Sequence, residues 1–161
     1  MRLLSQVTDL IAFRNLTQLA ALRTSQVQSI SSIARDAGMN SMTTTRYLNL
    51  LETSFLISRM PPFMRNRSSR LVKSPKLFFT DSGLAAHLAS VASLESDEDD
   101  RMRGPLFETF MRQNLAAILG AHVPDARLCY WNEQGRQEVD FVVENGRSNY
   151  AIQVKAASQW S

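Results

Sequence analysis

Near the end of the chain, Glu138-Val139-Asp140 and Gln153-Val154-Lys155 stand on either side of Asn145-Gly146. Asn-Gly flanked by alternating apolar and polar residues predicts a β-hairpin, since a tight type I′ turn needs positive φ at both central positions. Strand side chains alternate, so Glu138 and Asp140 share one face while Val139, Phe141 and Val143 take the other. A loop of Asn145-Gly146 alone sets Asp140 opposite Ala151 and Glu138 opposite Gln153. A loop two residues longer sets Asp140 opposite Gln153. Opposed residues share a face, so either register gathers Glu138, Asp140, Gln153 and Lys155 on one side, and only an odd loop scatters them. Carboxylates, an amide oxygen and an ammonium on one surface are the equipment of metal-assisted phosphodiester hydrolysis. Mg2+ needs only one or two protein carboxylates besides water and phosphate oxygens, and a nearby ammonium offsets charge in the transition state. The same spacing also describes an ordinary solvated sheet face.

Such a surface needs a helix behind it. Gly104-Pro105-Leu106-Phe107-Glu108 opens a helical pattern in which Phe107, Met111, Leu115 and Ile118 recur at spacings of four, four and three. Pro105 suits a first helical turn. Glu108 borders the apolar stripe and can reach the sheet, or it can pair with Arg112 four residues on.

Taken in order, four segments resemble the PD-(D/E)xK, restriction-endonuclease-like superfamily. They are Lys73-Ser74-Pro75-Lys76-Leu77-Phe78-Phe79-Thr80-Asp81-Ser82-Gly83-Leu84, Gly104 to Phe110, Glu138 to Val143, and Ile152 to Lys155. More closely, the chain is similar to the C-terminal region of bacterial and archaeal AAA-type P-loop ATPases, where a winged helix precedes that nuclease-like fold. The resemblance implies Glu108 as the helix acid, Asp140 as the metal-binding acid and Lys155 as the catalytic lysine, with Gln153 where an acid usually stands. It implies Mg2+ held by Asp140, Gln153 and Glu108. It also implies an ATPase domain as partner, and ATP only through that domain, because no Gly-Lys-Thr/Ser loop occurs here. The family fold continues past the lysine strand, whereas six residues follow Lys155. A shortened sheet of that kind predicts self-association through its exposed edge.

The composition fits one domain or two small ones: 161 residues, 44% of them hydrophobic and 20% charged. The single cysteine, Cys129, cannot form an internal disulfide, which points to a cytoplasmic setting. No apolar run approaches the roughly 20 residues of a membrane span, and the N-terminus lacks a secretion signal. Cys129, His87 and His122 have no zinc-like spacing. His87 is expected on a helix and His122 in a loop. Trp131 and Trp160 are expected to pack in a core or at an edge.

The net charge of +3 divides unevenly, +7 over residues 1–90 and −4 over 91–161. Glu95-Ser96-Asp97-Glu98-Asp99-Asp100 reads as a solvated linker. The organisation expected is therefore α+β: a winged helix-turn-helix domain over 1–90, an acidic linker over 91–103, and an incomplete α/β restriction-endonuclease-like domain over 104–161. Within the first, Val7–Leu22 predicts an amphipathic helix, and the stretch around Ser31–Gly38 a short helix ending in a turn. A second helix is expected from Met42 to Glu52 with Ser41 as its cap. Ala34 and Gly38 suggest a close helix approach. Phe55–Arg59 and Lys76–Thr80 are expected strands flanking a basic, proline-broken wing. If this unit meets DNA, Thr43, Thr44, Arg46 and Asn49 face a groove, while Arg59, Arg65, Arg67, Arg70, Lys73 and Lys76 hold phosphates. The other reading is a catalytically silent module that serves DNA binding or assembly.

Overall fold

Local side chains fix where the helices start. The Asp9 carboxylate accepts the N–H groups of Ile11 and Ala12 at 3.0 and 2.9 Å and caps α1 (Leu10–Leu22). Ser29 caps α2 (Ile30–Asp36), and Asn40, rather than Ser41, caps α3 (Ser41–Thr53) by accepting from Thr43 N–H at 2.8 Å. Asp81 caps α4 (Ser82–Leu88), which carries His87. Each such cap contributes on the order of 1 kcal/mol. The computed structural model of the chain describes residues 7–64, 73–94, 100–133 and 137–156. Among these, helix α5 spans Asp100–His122, one turn earlier than Gly104-Pro105 suggests, so Pro105 lies inside it and His122 ends it. The final residues of the expected linker are therefore helical.

Two three-stranded antiparallel sheets complete an α+β fold. Strands β1 (Gln26–Val27), β2 (Ile57–Met60) and β3 (Lys76–Phe79) pair in the order β1-β3-β2. Strands β4 (Arg127–Glu133), β5 (Gln137–Asn145) and β6 (Ser148–Ile152) pair in sequence order. The two-residue β1 carries no periodicity that a sequence could show. The β5–β6 turn is Gly146-Arg147, with Gly146 at φ +61°, and Phe141 faces Ile152. This is the register of the longer loop, but pairing stops at Ile152, before Gln153.

Strand β3 is buried on both sides. Leu77 and Phe79 join a core with Leu16, Tyr47, Leu51 and Leu106, while Phe78 joins a second core with Met60, Tyr130 and Phe141. Alternation along the strand then turns Lys76, two residues before Phe78, toward the C-terminal half. Helix α5 serves both cores, Leu106 in the first and Met111 and Leu115 against the second. Its apolar stripe is rotated from the expected one: Leu106 and Thr109 are buried, whereas Phe107 and Ile118 are exposed. Gly38 has φ +64° and nothing within 4 Å of where a Cβ would stand. It is there for the left-handed turn after α2 and not for close helix packing.

The two edges of the second sheet differ. Beyond β4, Tyr130 N–H donates to Pro61 O at 3.1 Å and Phe63 N–H donates to Tyr130 O at 2.5 Å, so the segment after β2 covers that edge. Among the described residues no strand pairs with the outer edge of β6.

Candidate functional site

Four elements meet at one polar cavity of about 330 Å³, lined by Ser25, Lys76, Glu108, Glu138, Asp140 and Val154 among others. The Lys76 ammonium, its side chain only 3% exposed, lies 2.8 Å from Glu108 Oε1 and 2.6 Å from Glu138 Oε1. The Ser25 hydroxyl donates to Glu108 Oε2 at 2.5 Å. Ser25 holds φ +67°, an uncommon conformation for a residue with a Cβ, at the turn from α1 into β1. Beneath it, the Thr24 and Thr109 hydroxyls bond at 2.8 Å, and Phe79 N–H donates to Thr24 Oγ1 at 3.3 Å. The Asp140 carboxylate accepts Val154 N–H at 2.8 Å, which turns the chain as it leaves β6.

Burial is the largest influence on the Lys76 ammonium and by itself would depress it, but Glu108 and Glu138 together outweigh it and raise the group above the usual lysine value. Burial also raises Glu108 above the ordinary carboxylate range, with Lys76 and Ser25 opposing and Asp140 adding to the rise. Glu108 does not take Arg112 as its partner. Burial depresses the Arg112 guanidinium, whose Nε lacks a hydrogen-bond partner among the described residues.

Glu108 and Asp140 thus come together as the spacing suggested, and Glu138 joins them. Gln153 and Lys155 do not complete the set. Both are exposed beyond the end of β6, and Lys155 lines an adjoining hollow of about 690 Å³ with Ser82, Gly83, Phe107 and Phe110, which shares Ala156 with the polar cavity but none of its acids. The ammonium at the acids belongs to Lys76, which the sequence reading assigned to phosphate. A cation so enclosed cannot reach a duplex. The local signal was there: a lysine opening the otherwise apolar run Leu77-Phe78-Phe79 is on a strand whose every position is buried. Ser25 and Thr24 carried no such signal, because they become polar partners only through contacts more than 50 residues away.

The acids do not fit the proposed Mg2+ set. Lys76 engages two of the three carboxylates, Asp140 is bonded to a backbone N–H, Gln153 is exposed and does not line the cavity, and the described residues offer no group of three acid, His or Cys ligands arranged around a common point.

The expected groove residues also change. Thr44 is fully buried and donates to Asn40 O. Arg46 donates to Thr8 and lies over the Tyr47 ring. Arg59 bonds Asn49 at 2.9 Å and pairs with Glu52 at 3.3 Å. Lys73 is exposed beside Phe63 and Trp131, and Arg65, Arg67, Arg70 and Trp160 lie outside the described residues.

With two cores, a shared central strand and a polar junction in view, the chain can be set beside known proteins. It belongs to the family described as Domain of unknown function (DUF8612), whose model matches residues 1–95. Residues 103–161 match Domain of unknown function (DUF4143), which is commonly found in AAA-ATPase-associated proteins. Two similar curated proteins are Uncharacterized protein Rv2008c of Mycobacterium tuberculosis and Uncharacterized protein Mb2031c of Mycobacterium bovis. Each is 29% identical over 133 residues, covering 83% of this chain and 29% of the relative. The chain spans less than a third of the length of these relatives. No solved structure gives a significant match. No described helix is long and apolar enough to cross a membrane.

Proposed function

We propose that this chain is a non-hydrolytic assembly module of a cytoplasmic AAA-type P-loop ATPase, a winged helix locked onto a nuclease-like remnant. The observation that carries the reading is the placement of Lys76, whose ammonium engages Glu108 and Glu138 where a nuclease would need open carboxylates, while Lys155 lines the adjoining hollow and pairs with none of the acids among the described residues. The order helix, strand, helix, helix, strand, strand, with sheet order β1-β3-β2, supports the winged-helix half. A protein partner is favoured over DNA by the surface around α3. Its cations Arg46 and Arg59 are engaged locally, while Met42 and Phe55, at either end of the helix, are 85% and 82% exposed. Exposed apolar side chains of that size suit protein contact, not a phosphate backbone.

The test is Mg2+- and Mn2+-dependent nicking of plasmid DNA by this chain and by a longer form carrying the ATPase domain. Neither is expected to cut, and Mn2+ titration is expected to show no site that depends on Asp140. Nicking abolished by Asp140→Asn would replace this reading with the hydrolytic one, Lys76 then standing in for Lys155. Affinity for duplex DNA should be weak and nearly independent of salt. A steep fall with salt would instead assign the wing to phosphate.

A further inference from the structure

The edge of β6, which no described residue covers, is unusual in what it lacks. Ser148-Asn149-Tyr150-Ala151-Ile152 contains no charge and no proline, and Ser148 to Ala151 are all exposed, Tyr150 at 57%. Exposed edges are normally blunted by lysine, proline, a bulge or a covering segment. In this sheet the bulge, between Cys129 and Trp131, and the cover, from Pro61 to Phe63, both fall on the β4 side.

We propose that β6 is a self-association edge, pairing antiparallel with β6 of a second copy about a two-fold axis through Tyr150. The strand is its own complement in that arrangement. Tyr150 meets Tyr150, Asn149 meets Ala151 and Ser148 meets Ile152, with no charge opposed to a like charge. The flanking cations settle the direction. Antiparallel pairing sets Arg147 against Gln153, whereas parallel in-register pairing would stack Arg147 on Arg147 and Lys155 on Lys155. The product is a six-stranded sheet, β4-β5-β6-β6-β5-β4, whose two outer edges are those already covered by Pro61–Phe63. Among the described residues it closes as a dimer and leaves no sheet edge for a third copy. The inference does not depend on whether the polar junction is catalytic.

Analytical ultracentrifugation of the full chain over a concentration series is expected to show a monomer–dimer equilibrium. Tyr150→Lys sets two ammonium groups against each other on the axis and should weaken the dimer by roughly tenfold or more, with a melting temperature equal to the wild type's when both are measured dilute enough to be monomeric. Asn149→Lys, on the other face of the strand, should weaken it as well and guards against a folding defect in the first variant. Tyr150→Cys should cross-link to a covalent dimer under mild oxidation, while Arg147→Cys should not. A strict monomer at the highest soluble concentration, a dimer indifferent to both lysine variants, or cross-linking by Arg147→Cys instead of Tyr150→Cys would each overturn the proposal.

Discussion

Lys76 at the junction and Lys155 beyond β6 carry the same side chain into opposite surroundings: one is enclosed by two carboxylates and a tyrosine ring, the other is open to water beside an apolar hollow. What separates them is the strand each belongs to. Lys76 opens a strand buried on both faces, so its ammonium cannot escape and must be paired where it lies. Lys155 follows the last paired residue of an edge strand, and no ladder fixes its direction. A polar group becomes a site when the surrounding packing removes its alternatives.

The comparison breaks first if Lys76 is dispensable. Lys76→Met leaves Glu108 buried without its cation. With Glu138 42% exposed and partly rescued by water, the loss should be about 3 kcal/mol in urea unfolding. The pH dependence carries the same signature. Because the folded-state value of Lys76 is raised, the stabilisation of the junction is complete below the ordinary lysine range and is lost as pH rises through the folded value. The alkaline fall in melting temperature should therefore be shallower in Lys76→Met than in the wild type.

Thr109→Val tests the neutral layer below the ion pairs. It removes the buried Thr24–Thr109 hydroxyl bond and leaves Thr24 Oγ1 only the Phe79 N–H, and should cost about 1–2 kcal/mol by the same measurement. Phe55 holds φ +59° while 82% exposed, a conformation that disfavours any residue with a Cβ. Phe55→Asn should raise stability by up to about 1 kcal/mol, and a decrease would mean that the ring makes contacts that outweigh its backbone strain. The smallest change is expected at the other lysine: Lys155→Ala should alter stability by less than about 0.5 kcal/mol.

Much of the α+β pattern was legible, because periodic apolar positions and turn signals act over a few residues. The caps were less so: Ser41 was the one expected, whereas Asn40 serves there and Asp9, Ser29 and Asp81 cap α1, α2 and α4; that Glu138 and Asp140 share a face follows from strand alternation alone. The helix start at Asp100 escaped notice because an acidic run reads as solvated linker when nothing shows that a first turn tolerates it. Within the site, Glu108 and Asp140 were visible through type and spacing. The partnership of Lys76 was not, since it depends on how the N-terminal sheet is laid against β5, and the basic stretch from Arg59 to Lys73 that precedes it invited a phosphate role. Gln153 and Lys155 were misplaced because parity holds only as far as pairing does, and pairing ends at Ile152.

The double burial of β3 bears on how the chain can be divided. The two family matches meet near residues 95–103, which invites cutting there to obtain two independent fragments. A fragment ending at that point would carry Phe78 bare to solvent and an unneutralised ammonium on its surface. The complementary fragment would lose the wall against which Phe141 rests and the cation that steadies Glu108. Expressed apart, each piece should be poorly soluble; mixed, they should recover one another and melt as a single cooperative body.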